Sequence, residues 1–79
     1  MTPAELKAVS LMRSMAAQGE AKTARISRHL TLKEVAAVIG ADPSTVYRWE
    51  NGETVPRTAH ALAWARLMGL LDGDAELVA

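Results

Sequence analysis

The 79-residue chain carries nine basic and nine acidic side chains, for a formal net charge of zero, and 49% of its residues are hydrophobic. That length supports one small domain, near the size at which a single core is marginal. The absence of cysteine excludes a disulfide framework, a thiolate zinc site and a thiol nucleophile; no apolar run approaches the ~18 residues of a membrane span and no signal peptide is visible, so a cytoplasmic protein with no membrane partner is expected.

Fifteen alanines, no phenylalanine and only three aromatic residues, Tyr47, Trp49 and Trp64, favour packed helices over sheets, because alanine is the best helix former and a poor strand residue. An all-α bundle of four to five helices is expected, with helices at about 3–18, 32–39, 43–51 and 58–71. Charge is unevenly spread. Lys7, Arg13, Lys22, Arg25, Arg28, Lys33 and Arg48 precede Trp49 against Glu5, Glu20, Glu34 and Asp42, while only Asp72, Asp74 and Glu76 follow Leu71. A basic front and an acidic tail are compatible with nucleic-acid binding despite the neutral total, since local potential matters more than the sum.

In chain order, Thr2-Pro3-Ala4-Glu5 has the capping-box pattern with proline at the first helical position, so a helix starts here. Leu6, Val9, Met12 and Ala16 form its inward stripe, widened by Leu11 and Met15, and Gln18-Gly19 ends it. Residues 19–30 read as a basic connector in which Ile26 and Leu30 can dock a short helix or turn, with Lys22, Arg25, Arg28 and His29 outward. Two readings stay open for this stretch: an arm on DNA phosphates, or a solvated linker.

Residues 31–52 hold the most complete signals. Thr31 with Glu34 makes a second capping box, and Leu30 with Val35 a hydrophobic staple. Val35, Ala36 and Ile39 share one face of a short helix. Gly40 sits where the chain must reverse, Asp42 is an N-cap and Pro43 a first helical residue, and Val46 and Trp49 share the inner face of a second helix. On that helix Ser44, Tyr47, Arg48 and Asn51 fall on the opposite face. Glu53 to Arg57 reads as a loop. Thr58 then caps a helix that is apolar nearly all round, with more such surface than a small core needs. The surplus predicts a homodimer contact through Trp64, Met68 and Leu71, with Trp64 as a core residue the competing reading. The whole of 1–79 is read as a single domain: 1–18 the first helix, 19–30 the connector, 31–52 the paired helices, and 58–79 the closing helix and dimer contact.

Two short helices joined by so tight a turn have the geometry of a helix-turn-helix. Ala36, Gly40, Val46, Trp49, the run Glu50-Asn51-Gly52 and Pro56 resemble the Xre/Cro/phage-repressor (lambda-repressor-like) helix-turn-helix family over roughly Leu30 to Leu70. The resemblance implies a sequence-specific regulator that binds double-stranded DNA, a phage repressor or Cro-like protein, with residues 43–51 in the major groove. Pro43, Ser44, Tyr47 and Arg48 match base-facing positions, Arg48 first because its guanidinium fork suits guanine O6 and N7. Lys33, Asn51, Thr54 and Arg57 are placed for the backbone, joined by Lys22, Arg25 and Arg28 if the connector is an arm. In the family the acid matching Glu50 pairs with a basic residue of the first helix, for which Arg13 is a candidate. The family often has glutamine where Leu32 stands, and Leu32 can neither contact a phosphate nor brace a base-reading side chain.

No catalytic residue, cofactor or metal is expected: His29 and His60 stand alone, no serine has a glycine-framed elbow, and no glycine-rich phosphate loop exists. No small-molecule ligand is expected either. Two alternatives remain beside the regulator: an excisionase or recombination-directionality factor, in which a β wing usually follows the motif, and an antitoxin or adaptor that uses the fold for protein contact.

Overall fold

The computed structural model describes residues 1–71 and contains α1 (Pro3–Ala17), α2 (Glu20–Ser27), α3 (Leu32–Ile39), α4 (Pro43–Glu50) and α5 (Thr58–Leu67). Among the described residues there is no strand, and no helix is long and apolar enough to cross a membrane. The expected end of the last helix at Asp72-Gly73-Asp74, and the role given to 75–79, lie outside the described residues.

The two capping boxes form as the residues dictate, whereas Thr58 is the first residue of α5 and not its cap, a place taken by Arg57 without a side-chain bond. Thr2 Oγ1 accepts from Glu5 N–H at 3.1 Å while Glu5 accepts from Thr2 N–H at 2.7 Å. Thr31 and Glu34 repeat this at 3.0 and 2.8 Å. Each box thus satisfies two helix-start donors that would otherwise lack partners. These bonds also hold the Glu34 carboxyl below its ordinary pKa, first through the Thr31 backbone N–H and then through its hydroxyl. Glu5 is lowered in the same way by Thr2.

Two expectations about element boundaries are corrected. Of the short helix or turn expected within 19–30, residues 20–27 form the helix, but its inward side is Ala21 and Arg25, one turn apart, not Ile26, which is 54% exposed. The closing helix stops at Leu67, four residues early. Gly69 takes φ +77°, its N–H bonds Arg66 O at 3.1 Å, and Leu70 N–H bonds Ala65 O at 2.9 Å. This is a Schellman stop, in which glycine alone avoids the left-handed penalty. On α1 the buried stripe is Ala8, Val9, Met12 and Ala16, whereas Leu6 and Leu11 face outward.

The core lies where α1, α3, α4 and α5 meet, with Trp64, Met12, Val35, Val46 and Pro56 fully buried. Trp64 is therefore a core side chain and not a dimer contact, and Met68, 5% exposed, is core as well. The reason is that α5 packs against both α1 and α3, which cover two of its sides. Leu71, the third expected contact, is half-buried against the same cluster. Trp49 and Trp64 meet with ring centroids 5.7 Å apart, and His60 leans on the Trp49 ring at 5.4 Å. Trp64 contributes through packing alone, because its indole N–H finds no acceptor among the described residues.

Candidate nucleic-acid interface

α3 and α4 are joined by Gly40 and Ala41 alone before the Asp42 cap. Gly40 adopts φ +77°, and the N–H groups of Gly40 and Ala41 both bond Ala36 O, at 2.9 and 3.0 Å. A side chain with a Cβ is penalised in that conformation, so the sharp turn depends on glycine. Val35, Ala36 and Ile39 of α3 and Val46 and Trp49 of α4 are all buried, and α3 packs on α4. Together these contacts set the angle at which α4 leaves the body.

The far side of α4 is open. Ser44, Tyr47, Arg48 and Asn51 are exposed, Tyr47 at 49%, and Pro43 is half-buried at the helix start. The Arg48 side chain makes no hydrogen bond or ion pair to another described residue, so its full donor fork is available. Asn51 caps the helix and donates from Nδ2 to Tyr47 O at 2.8 Å; this bond engages its amide nitrogen. Asp42 caps the other end, accepting Ser44 N–H at 3.0 Å, and the same carboxylate oxygen accepts the Ser44 hydroxyl. Those bonds, the hydroxyl first, hold the Asp42 carboxyl below its usual value. Lys33 in the first turn of α3, and Thr54 and Arg57 in the loop after α4, are exposed, as are Lys22 and Arg28 on the α2 side. Arg28 also reaches Met68 Sδ at 3.5 Å.

Arg25 is different. Its Nε and Nη2 grip both oxygens of Glu50 at 2.7 and 3.1 Å, and its Nη1 donates to Leu30 O at 2.9 Å. The two side chains are 11% and 1% exposed. All three guanidinium nitrogens are engaged inside the protein, so Arg25 is corrected from a phosphate contact to a brace. It ties α2 and the approach to α3 to the C-terminal end of α4. The expected pairing of Glu50 with Arg13 is corrected too: Arg13 donates to Pro56 O at 3.0 Å and Thr58 Oγ1 at 3.4 Å, pinning the loop before α5 onto α1. Leu32, the departure from the family pattern, is half-buried against the core.

The family model described as Helix-turn-helix matches residues 22–73. This covers most of the chain, which belongs to that family, the Xre/Cro/lambda-repressor-like helix-turn-helix proteins. The fold and match together make it a DNA-binding transcription regulator of the helix-turn-helix type. No curated protein and no solved structure matches it significantly. The matched span begins inside α2 and leaves out α1, so the helix that leads into the motif is α2. That placement is why the partner of Glu50 is Arg25 and not Arg13. A signal was present in the sequence: Arg25 lies one helical turn after Ala21, on the side that alanine marks as inward.

Proposed function

We propose that this chain is a sequence-specific regulator of the phage repressor or Cro-like kind, which reads the major groove of double-stranded DNA with α4. One observation carries the reading: α4 is held from inside by Val46, Trp49 and the Arg25–Glu50 pair, while Ser44, Tyr47 and Arg48 project from its free side. Arg48 pairs bidentately with guanine, Tyr47 packs on a thymine methyl or a phosphate, and Pro43 and Ser44 face the bases nearest the helix start. Lys33, Asn51, Thr54 and Arg57, with Lys22 and Arg28 on the α2 side, contact the phosphates and set register without carrying sequence information. An eight-residue helix presents only these few base-facing side chains, so the reading includes a homodimer on two half-sites. With Trp64 and Met68 in the core, that contact uses other surface, such as the half-buried Leu71.

The test is selection of bound duplexes from a random pool by the intact chain and by Arg48→Ala. The expected result is a defined sequence with half-site symmetry, in which Arg48→Ala relaxes one guanine position. A profile with no preferred sequence rules out the reading, and a uniform loss in Arg48→Ala reassigns that residue to a phosphate. The excisionase alternative is less well supported, because α5 rather than a β wing follows the loop after α4.

A further inference from the structure

The start of α4 shows which kind of base atom Ser44 is able to meet. An ionised carboxylate only accepts hydrogen bonds, so in the contact between Ser44 and Asp42 the hydroxyl proton belongs to Ser44. The Ser44 N–H is taken by the same oxygen at 3.0 Å. Both donors of Ser44 are therefore spent within the protein, and its exposed side offers only the hydroxyl lone pairs. A hydrogen bond to an ionised acceptor is about twice as strong as a neutral one, so a neutral base nitrogen or carbonyl does not recapture that proton.

Resting on the reading of α4 as the base-contacting helix, we infer that Ser44 enters the groove as a hydrogen-bond acceptor only, pairing with an exocyclic amino group, adenine N6 or cytosine N4. It does not donate to guanine O6 or N7, to adenine N7 or to thymine O4. Asp42 is thus a positioning residue: it contacts no base itself and sets what Ser44 recognises. Arg48, four residues on and on the same face, is the converse, a side chain with donors only. The two lie about 6 Å apart along the helix axis, less than two base steps of roughly 3.4 Å each. The outer face of α4 therefore runs from an acceptor end to a donor end, and the bound site carries an amino-group contact within about two base pairs of the guanine read by Arg48.

The experiment uses the full chain and duplexes of the selected site. Comparing profiles of the wild type and Ser44→Ala locates the base pair that Ser44 contacts. At that pair the amino group is then removed, with purine in place of adenine or 2-pyrimidinone in place of cytosine. In a separate duplex the N7 acceptor is removed by a 7-deazapurine. Removing the amino group is expected to weaken wild-type binding roughly two- to tenfold and to leave Ser44→Ala unchanged, whereas loss of N7 affects both proteins alike. In Asp42→Gly, a substitution that keeps a serviceable N-cap, the released hydroxyl regains its donor and is expected to tolerate an acceptor such as thymine O4 at that position, which the wild type rejects. Circular dichroism checks that this variant is folded, and the Ser44→Ala comparison stands without it.

The inference is overturned if amino removal weakens wild type and Ser44→Ala equally, if loss of N7 weakens the wild type alone, or if Ser44→Ala changes no position. Arg48→Ala separates the two levels of failure. If it relaxes its own guanine while Ser44→Ala changes nothing, only the acceptor role falls; if neither variant alters the profile, the base-reading role of α4 falls with it.

Discussion

α2 and α4 are both eight residues long, and each carries an arginine toward its C-terminal end. Arg25 is sunk against Glu50 with every guanidinium nitrogen engaged, while the Arg48 guanidinium stands in solvent, bonded to no described residue. The same chemistry serves two purposes because the neighbourhood differs. One fork matches a carboxylate on the next helix and fixes its direction. The other is left unsatisfied on the side that direction exposes. A buried pair of this kind is weak evidence for stability in itself, since two well-packed apolar residues often do as well. What it specifies is orientation, and orientation is what a base-reading helix requires. A cluster of basic residues in the sequence therefore does not identify DNA contacts until the inward ones are removed from it.

The largest expected effect falls on the buried arginine. Arg25→Ala leaves the Glu50 carboxylate buried without its partner and is expected to cost about 3–5 kcal/mol, read by denaturant unfolding. A loss under about 1 kcal/mol would show that the pair is not a brace. Arg48→Ala inverts the pattern. Stability should hold within about 0.5 kcal/mol, as for a surface substitution, while affinity for the selected site falls by ~1–3 kcal/mol at one base position.

The caps come next. Thr31→Ala removes the hydroxyl that holds the start of α3 and is expected to cost about 1 kcal/mol of stability, seen as a lowered midpoint with an unchanged denaturant slope. The double variant Lys22→Ala/Arg28→Ala keeps Arg25 intact and tests the α2 side as a phosphate contact. If both residues touch phosphates, the salt slope of binding falls by about 1.8; an unchanged slope makes that side ordinary solvated surface. The smallest effect is acid sensitivity. Glu5, Glu34 and Asp42 have folded-state pKa values below their unfolded ones. Their contribution is therefore complete above the unfolded values and is lost as pH falls through the folded ones. Stability should begin to decline below about pH 4.5, where free glutamate titrates, and the Thr31→Ala variant should show a shallower decline.

The α3–α4 unit was legible in the sequence because its signals are local. Thr31 with Glu34, Gly40, and Asp42 with Pro43 mark the ends, and five apolar residues at helical spacing mark the inside. α2 was legible only as a short helix or turn with Ile26 inward, because its inward side is Ala21 and Arg25, and an arginine at an inward position breaks the apolar period on which such a reading depends. The partner of Arg25 lies 25 residues away, and no local pattern points to it. α5 failed in the opposite way. It is apolar on nearly every side, so periodicity does not say which face is covered, and it left Trp64 open between dimer contact and core when α1 and α3 enclose it. Gly69 was a readable stop signal overshadowed by the leucines that follow it. The open face of α4 was legible by subtraction from Val46 and Trp49, but the bond from the Ser44 hydroxyl to Asp42 was not, since a cap pattern shows only the backbone partner.

The division of labour between the two arginines is tested most directly by the side-chain Nε–H signals of Arg25 and Arg48 in an NMR titration with the selected duplex. The expected result is an Arg25 signal already protected from exchange in the free protein and unmoved by DNA, with the Arg48 signal shifting and becoming protected only in the complex. An Arg25 signal that moves on binding while Arg48 stays as it was would contradict the assignment of α4 as the base-reading helix.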